Sequence, residues 1–197
     1  MTRHDELGEV AVAFNGMAAA LQDSHTTLTY RATHDELTGL GNRAALAERM
    51  AASFEPDSGV RTRHDGPLFI DIDDFKDVND SLGHEGGDAL LVLLAERLRA
   101  SVRSHDLVAR LGGDEFAVVV LDNDDGTPAT GPVAERIYDA LSDPFVIGDR
   151  SLRVSLSIGV AQRTADTADV TELLRQADSA MYRAKHGGKA RYEIHGG

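Results

Sequence analysis

Two β-rich runs, Val108–Leu111 and Phe116–Leu121, are separated only by Gly112-Gly113-Asp114-Glu115, and this spacing constrains the fold more than any other feature of the chain. Glycine reaches positive φ without steric cost, so a short glycine-rich connection between β-formers folds back as a hairpin. Around it strands and helices alternate. Leu68–Ile72, after Gly66-Pro67, is an apolar run bounded as a buried strand. Ala89–Val102 carries Leu90, Leu91, Leu94 and Leu98 at helical spacing. Val133–Leu141 and Val170–Lys185 read as helices, Leu152–Ala161 as a strand, and Tyr192–Ile194 as a last strand. The stretches from Glu55 to Gly66 and from Asp122 to Gly131 are polar and rich in glycine and proline, hence surface loops. These elements predict an α+β fold with a mainly antiparallel central sheet flanked by helices.

Charge narrows the function. The 20 Lys and Arg against 33 Asp and Glu leave a formal charge of −13. Nucleic acid is bound through basic patches that release counterions, so it is not an expected partner, whereas a small anionic ligand is compatible with this charge where metal ions bridge it. Apolar residues at 42% suffice for a core. The absence of cysteine excludes disulfides, thiolate metal sites and a cysteine nucleophile. The longest apolar run, Ala89–Ala95, is far below the roughly 20 residues of a membrane span, and Asp5, Glu6 and Glu9 interrupt any signal-peptide core. The eight histidines show no metal-ligand spacing. A soluble, cytoplasmic chain is expected.

The run Asp71-Ile72-Asp73-Asp74-Phe75-Lys76 ends the first strand with three acids in four positions. Strand alternation puts Asp71 and Asp73 on the face opposite Ile70 and Ile72, one face acidic and the other buried. Alone, such a run is more often a solvated strand end than a site. Asp114 and Glu115 form a second acidic group on the hairpin, and most acidic turns bind nothing. Together the two groups mean more, because adjacent strand ends would focus their carboxylates on one point, which wants cations. Magnesium is typically held by one or two carboxylates plus substrate phosphate oxygens, and paired metals clamp the attacking and leaving oxygens of an in-line displacement. Lys76 follows the first group, where an ammonium meets a triphosphate tail.

The first 32 residues differ in pattern. Leu7, Phe14, Leu21 and Leu28 repeat every seven residues, with Val10 and Met17 on the second seam position, which Ser24 and Arg31 then weaken. Thr2 with Asp5 suits a helix cap. An amphipathic helix packed on its own domain and a coiled coil fit this short pattern equally well. Asp5–Leu21 is similar to the second helix of HAMP signal-relay modules, which implies a parallel dimeric coiled-coil-type helix cut from a longer receptor. The expected organisation is a HAMP-like signalling helix over 1–32 and a catalytic domain over 33–197.

Six ordered motifs then point one way: Asp35–Arg43 (DELTGLGNR), Asp71–Asp80 (DIDDFKDVND), Gly83–Asp88 (GHEGGD), Gly112–Phe116 (GGDEF), Val154–Ala161 (VSLSIGVA) and Ala177–Lys189 (ADSAMYRAKHGGK). From about Thr33 onward the chain resembles the GGDEF-domain diguanylate cyclases. The resemblance implies a fold like polymerase palms and class III nucleotide cyclases. It implies Asp71, Asp114 and the Ile72 carbonyl as metal ligands, for two Mg2+ or Mn2+ ions per GTP, with Glu115 as a further catalytic acid. Gly112 and Gly113 would line the nucleotide, and Asp74, Phe75, Lys76, Lys185 and Lys189 would hold its phosphates. Lys189 stands where the family usually has arginine, so a bidentate fork is lost. Asn79 and Asp88 match the guanine readers, consistent with the donors at guanine N1 and N2 beside the O6 acceptor. Unaided, Asn79 would read as a turn or cap residue and Asp88 as a first-turn helix acid favoured by the dipole.

Arg103 and Asp106, six positions before Gly112, have the i, i+3 spacing of a weak surface ion pair. By resemblance they match an allosteric site for the product, arginine meeting guanine or phosphate and the acid accepting from guanine nitrogens. The implied activity joins two GTP into cyclic di-GMP, releasing two pyrophosphates, across a homodimer and with product inhibition. The implied location is the cytoplasmic part of a membrane-bound bacterial receptor. A catalytically silent module sensing GTP or cyclic di-GMP is the alternative, against which all five signature residues are present.

Overall fold

The computed structural model describes residues 16, 17, 22, 28–52, 54, 64–121, 127–164 and 167–196. Its central strand, β1 (His64–Ile72), lies antiparallel to β3 (Glu115–Leu121) on one side and β6 (Leu156–Val160) on the other. β2 (Leu107–Gly112) extends the sheet antiparallel beyond β3, and β7 (Arg191–Ile194) runs parallel to β6 at the far edge, giving the order β2-β3-β1-β6-β7. The expected α+β architecture with a mainly antiparallel sheet is the one observed.

Alternation along β1 sends Leu68, Ile70 and Ile72 to one face and Phe69 to the other. The first face packs under α2 (Phe75–Ala100) and α3 (Thr130–Ala140), where Leu90, Leu94, Leu98 and Ile137 are almost fully buried. Each such side chain contributes roughly 2 kcal/mol by burial. The second face lies beneath α1 (Arg43–Ala52) and α4 (Val170–His186), which add Leu46, Met50, Leu173 and Ala177.

Helix α4 sets the height of the site. Asp169 caps it, its carboxylate accepting from the Glu172 amide at 2.9 Å. Its buried stripe is mostly small, Ala177, Ala180 and Ala184 beside Leu173 and Met181. Small residues are needed because the helix rests on strand backbone. A Cβ on Gly159 of β6 would sit 2.1 Å from both the Ala177 carbonyl oxygen and the Met181 nitrogen.

Several elements depart from expectation. The helix expected from Ala89 starts at Phe75, after Asp74 in a left-handed conformation (φ 56°), and is interrupted at Gly83, whose φ of 76° and ψ of 171° suit only glycine. The preceding segment buries only Val78 fully, so its period is faint. The strand expected over Leu152–Ala161 is two strands. Arg150–Leu152 (β5) pairs with Phe145–Ile147 (β4) in a separate hairpin, and β6 follows. That hairpin is held to α2 by Arg97, whose guanidinium lies 3.7 Å from the Phe145 ring centroid and donates to the Ala140, Asp143 and Pro144 carbonyls. β1 begins at His64, inside the expected loop, while 55–63 and 122–126 lie outside the described residues. Of the heptad, Leu7, Val10, Phe14, Leu21 and Ser24 lie outside the described residues, as do Thr2 and Asp5. Met17 and Leu28 are exposed, and Arg31 pairs with Glu36 at 3.4 Å.

Candidate active site

β1 and the β2–β3 hairpin end side by side. Asp71 stands opposite Glu115 in register, and the Ile72 amide donates to the Asp114 carbonyl at 3.3 Å. A cleft of about 250 Å³ opens there, lined by the Asp71–Lys76 run together with Asp114, Lys185 and Lys189. Three separated segments, 71–76, 114 and 185–189, thus bring residues expected at a site by resemblance into one cavity.

Inside it, acids and lysines are paired. Lys185 Nζ lies 2.6 Å from Asp71 Oδ2, and Lys189 Nζ lies 2.5 Å from Asp74 Oδ1. Burial pushes the Asp71 carboxyl above its ordinary range, and the charges of Asp114 and Glu115 push the same way, against the hydrogen bond and charge of Lys185. Lys189 is raised by its hydrogen bond to Asp74 and by the charges of Asp74, Asp73 and Asp77.

Asp71 and Asp73 do not form one solvated acidic face, because both are buried. β1 ends at Ile72, so Asp73 sits in a turn and is itself buried. It accepts from Ser155 Oγ at 2.6 Å, Ser157 Oγ at 2.7 Å and the Ala190 amide at 3.0 Å. It thus ties the strand end to β6 and to the α4–β7 connection, which carries Lys189.

The signature turn is held from behind. Gly112 pairs with Glu115 across it, and Gly112 and Gly113 have φ of 136° and 55°. Arg110 donates through Nε and Nη2 to the Gly113 carbonyl at 3.1 and 2.8 Å, and through Nη1 to both Asp35 oxygens. Asp35 also accepts from the Thr38 amide and hydroxyl. Burial raises its carboxyl, but the Thr38 hydrogen bonds and Arg110 outweigh that and hold it below its ordinary range. The 35–43 motif is joined to the β2 backbone as well, Gly41 accepting from the Arg110 amide at 2.8 Å. Arg110 and Asp35 were not among the expected site residues. The hint was Arg110 on a strand two positions before Gly112.

Other expected residues lie around the cleft rather than in it. Asn79 and Asp88 occupy α2 on either side of the Gly83 break, Asn79 half-buried and Asp88 exposed. A Cβ on Gly87 would sit 2.0 Å from Asn79 Oδ1, so glycine there makes room for that amide. Glu115 borders a neighbouring, mostly apolar cavity of about 310 Å³, with Arg43 Nη2 4.0 Å away. Arg103 and Asp106 form no ion pair. Asp106 Oδ2 accepts from the Arg103 amide at 2.9 Å and Oδ1 from the Leu121 amide at 3.1 Å, while the Arg103 side chain is exposed.

The donors suit a hard divalent cation, with Asp71 and Asp114 on one cleft and Asp71 withheld from water. Among the described residues no three His, Asp or Glu side chains converge as a ready-made cage. Phosphate oxygens would have to complete the shell.

The family model described as diguanylate cyclase, GGDEF domain, matches residues 32–191. The bifunctional diguanylate cyclase/cyclic di-GMP phosphodiesterase MucR of Pseudomonas aeruginosa is 40% identical over 177 residues, covering 89% of this chain and 25% of MucR, so the chain spans a quarter of that relative. A solved GGDEF domain of TpbB from Pseudomonas aeruginosa superimposes with a TM-score of 0.73 at 40% identity, covering 82% of this chain and 94% of that one. The GGDEF domain of DgcB from Caulobacter crescentus, solved with c-di-GMP, gives 0.71 at 27% identity, covering 84% and 97%. With its sheet order, its signature turn and the acids and lysines gathered beside that turn, this chain belongs to the GGDEF family of diguanylate cyclases.

Proposed function

We propose that residues 33–197 form a catalytic domain that condenses two GTP into cyclic di-GMP. The observation that carries this reading is the single cleft in which Asp71, Asp114, Lys185 and Lys189 meet. Two carboxylates beside two ammonium groups suit a metal-bound triphosphate. The 3′-hydroxyl of each GTP attacks the α-phosphate of the other, forming a phosphodiester bond as the α–β anhydride breaks and pyrophosphate leaves. Two Mg2+ or Mn2+ ions per GTP, held by Asp71, Asp114 and the Ile72 carbonyl with Glu115 in support, would supply charge stabilisation to the developing oxyanions. The backbone at Asp74 and Phe75, with Lys76, Lys185 and Lys189, orients the β- and γ-phosphates, and the Gly112-Gly113 turn leaves the ligand space. Asn79 and Asp88 read guanine, Gly87 keeping Asn79 in place.

Because each half-site holds one GTP, the reaction needs two copies of the chain, and residues 1–32 would bring them together as a HAMP-like helix of a bacterial receptor. Arg103 and Asp106 are the proposed inhibitory site for the product, in keeping with the c-di-GMP complex of DgcB. Among the described residues no helix is long and apolar enough to cross a membrane, and the membrane attachment of that receptor would lie in further segments. Incubation of the purified chain with GTP and Mg2+, followed by chromatography, tests the reading. Cyclic di-GMP and pyrophosphate in a 1:2 ratio are expected. GTP binding without any product would assign the chain to the silent sensors instead.

A further inference from the structure

The carboxylate assigned to the cation already carries one. Lys185 Nζ lies 2.6 Å from Asp71 Oδ2, and the Asp71 side chain is only 7% exposed against 36% for Lys185. The two partners therefore differ in freedom. Asp71 is set in a central strand paired on both sides, whereas the lysine is a flexible four-carbon stem near the last turn of α4. A divalent cation and an ammonium on one buried carboxylate repel each other, and charge repulsion is strong where water is scarce. When both compete for Asp71, the lysine is the partner that can leave. The phosphates proposed for this cleft would give its ammonium a new anion within the same cavity.

We propose that Lys185 is a stand-in cation that exchanges from Asp71 to nucleotide phosphate, so that divalent metal and triphosphate bind cooperatively. The proposal rests on the metal and nucleotide assignment above and adds its order of events. Metal alone must displace Lys185 into water and binds weakly. Metal with triphosphate relocates the ammonium from one anion to another and binds tightly. The coupling is reciprocal, since each ligand raises affinity for the other by the same factor. Lys189 serves as an internal comparison, because its partner Asp74 is exposed and is not one of the assigned metal ligands.

Mn2+ binding, followed by electron paramagnetic resonance without nucleotide, tests this on the whole chain. Lys185→Met is expected to bind Mn2+ about ten-fold more tightly than wild type, within the range usual for coupled sites, and to gain less further tightening than wild type from an α,β-methylene GTP analogue, since only the direct phosphate–metal ligation remains. Lys189→Met should stay within about two-fold of wild type in the absence of nucleotide. Unchanged or weaker binding by Lys185→Met, or equal tightening in both variants, would overturn the exchange, the latter because a general charge effect would explain it.

Should Lys185→Met not fold, amine labelling of the wild type read by peptide mass mapping decides the matter. Saturating Mn2+ should make Lys185 more reactive, and Mn2+ with the analogue should protect it. Reactivity indifferent to Mn2+ would sink the idea. No turnover enters these measurements, so flat Mn2+ affinities in a chain that makes cyclic di-GMP would refute the exchange alone. A chain that makes none would refute the cyclase reading without touching the Mn2+ result.

Discussion

The Arg110 guanidinium spans from the Asp35 carboxylate, at 3.1 and 3.2 Å, to the Gly113 carbonyl, so one side chain joins the 35–43 motif to the signature turn. Its side chain is 12% exposed and that of Asp35 20%. A pair this sheltered leaves an uncompensated charge when either partner is removed.

Arg110→Ala is therefore expected to cost about 2 kcal/mol or more in urea unfolding. It should also lower the turnover number more than it changes KM, because the turn that presents Asp114 loses its support. Wild-type kinetics in the folded variant would show that the turn holds itself.

Asp35 also predicts a pH dependence. Its folded-state pKa is depressed, so its stabilisation is complete above the unfolded-state value of about 3.9 and is lost as pH falls through the folded-state value. Asp35→Asn should be less stable than wild type at pH 6, with the difference shrinking as pH drops below about 4. Parallel melting curves of the two proteins across that range would contradict the assignment.

Asp71→Asn and Asp114→Asn should each reduce product formation by roughly 10²-fold or more, since an amide is a poor magnesium ligand. The folded-state pKa of Asp71 is raised, so its contribution to stability is present at acid pH and lost as pH rises through that value. Asp71→Asn should consequently melt no lower than wild type at pH 8, which calorimetry can check.

Gly87→Ala places a methyl group where Asn79 Oδ1 now lies. Displacing that amide should raise KM for GTP about ten-fold, the worth of roughly one hydrogen bond, with a smaller effect on the turnover number. An unchanged KM would remove Asn79 from the guanine site.

Arg103 and Asp106 should separate on mutation. Arg103→Ala, an exposed change, is expected to weaken cyclic di-GMP binding in calorimetry without loss of stability. Asp106→Ala should do so while also losing about 1–2 kcal/mol, because its carboxylate satisfies the Arg103 and Leu121 amides. Full product affinity in Arg103→Ala would place the inhibitory site elsewhere.

Local chemistry made much of this protein readable from its residues. The hairpin at Gly112–Glu115, the buried stripe Leu90-Leu91-Leu94-Leu98 and the amphipathic run from Val170 depend on turn geometry and on periods of two or 3.6, which act over a few residues. The acids at 71 and 114 were visible because like charges crowd within one short run or one turn. The contacts that give the cleft its character were not visible, because each joins residues 75 or more positions apart. Asp35 meets Arg110, Asp71 meets Lys185, and Asp73 meets the Ser157 hydroxyl and the Ala190 amide only after β1 has found β3 and β6 and α4 has settled on Gly159. A strand pattern cannot say that Asp73 turns inward, since the strand stops one residue earlier, and a helix pattern cannot say which acid its last lysine will reach. Sheet register and the height of one helix above it settle those pairings, and both are properties of the packed molecule.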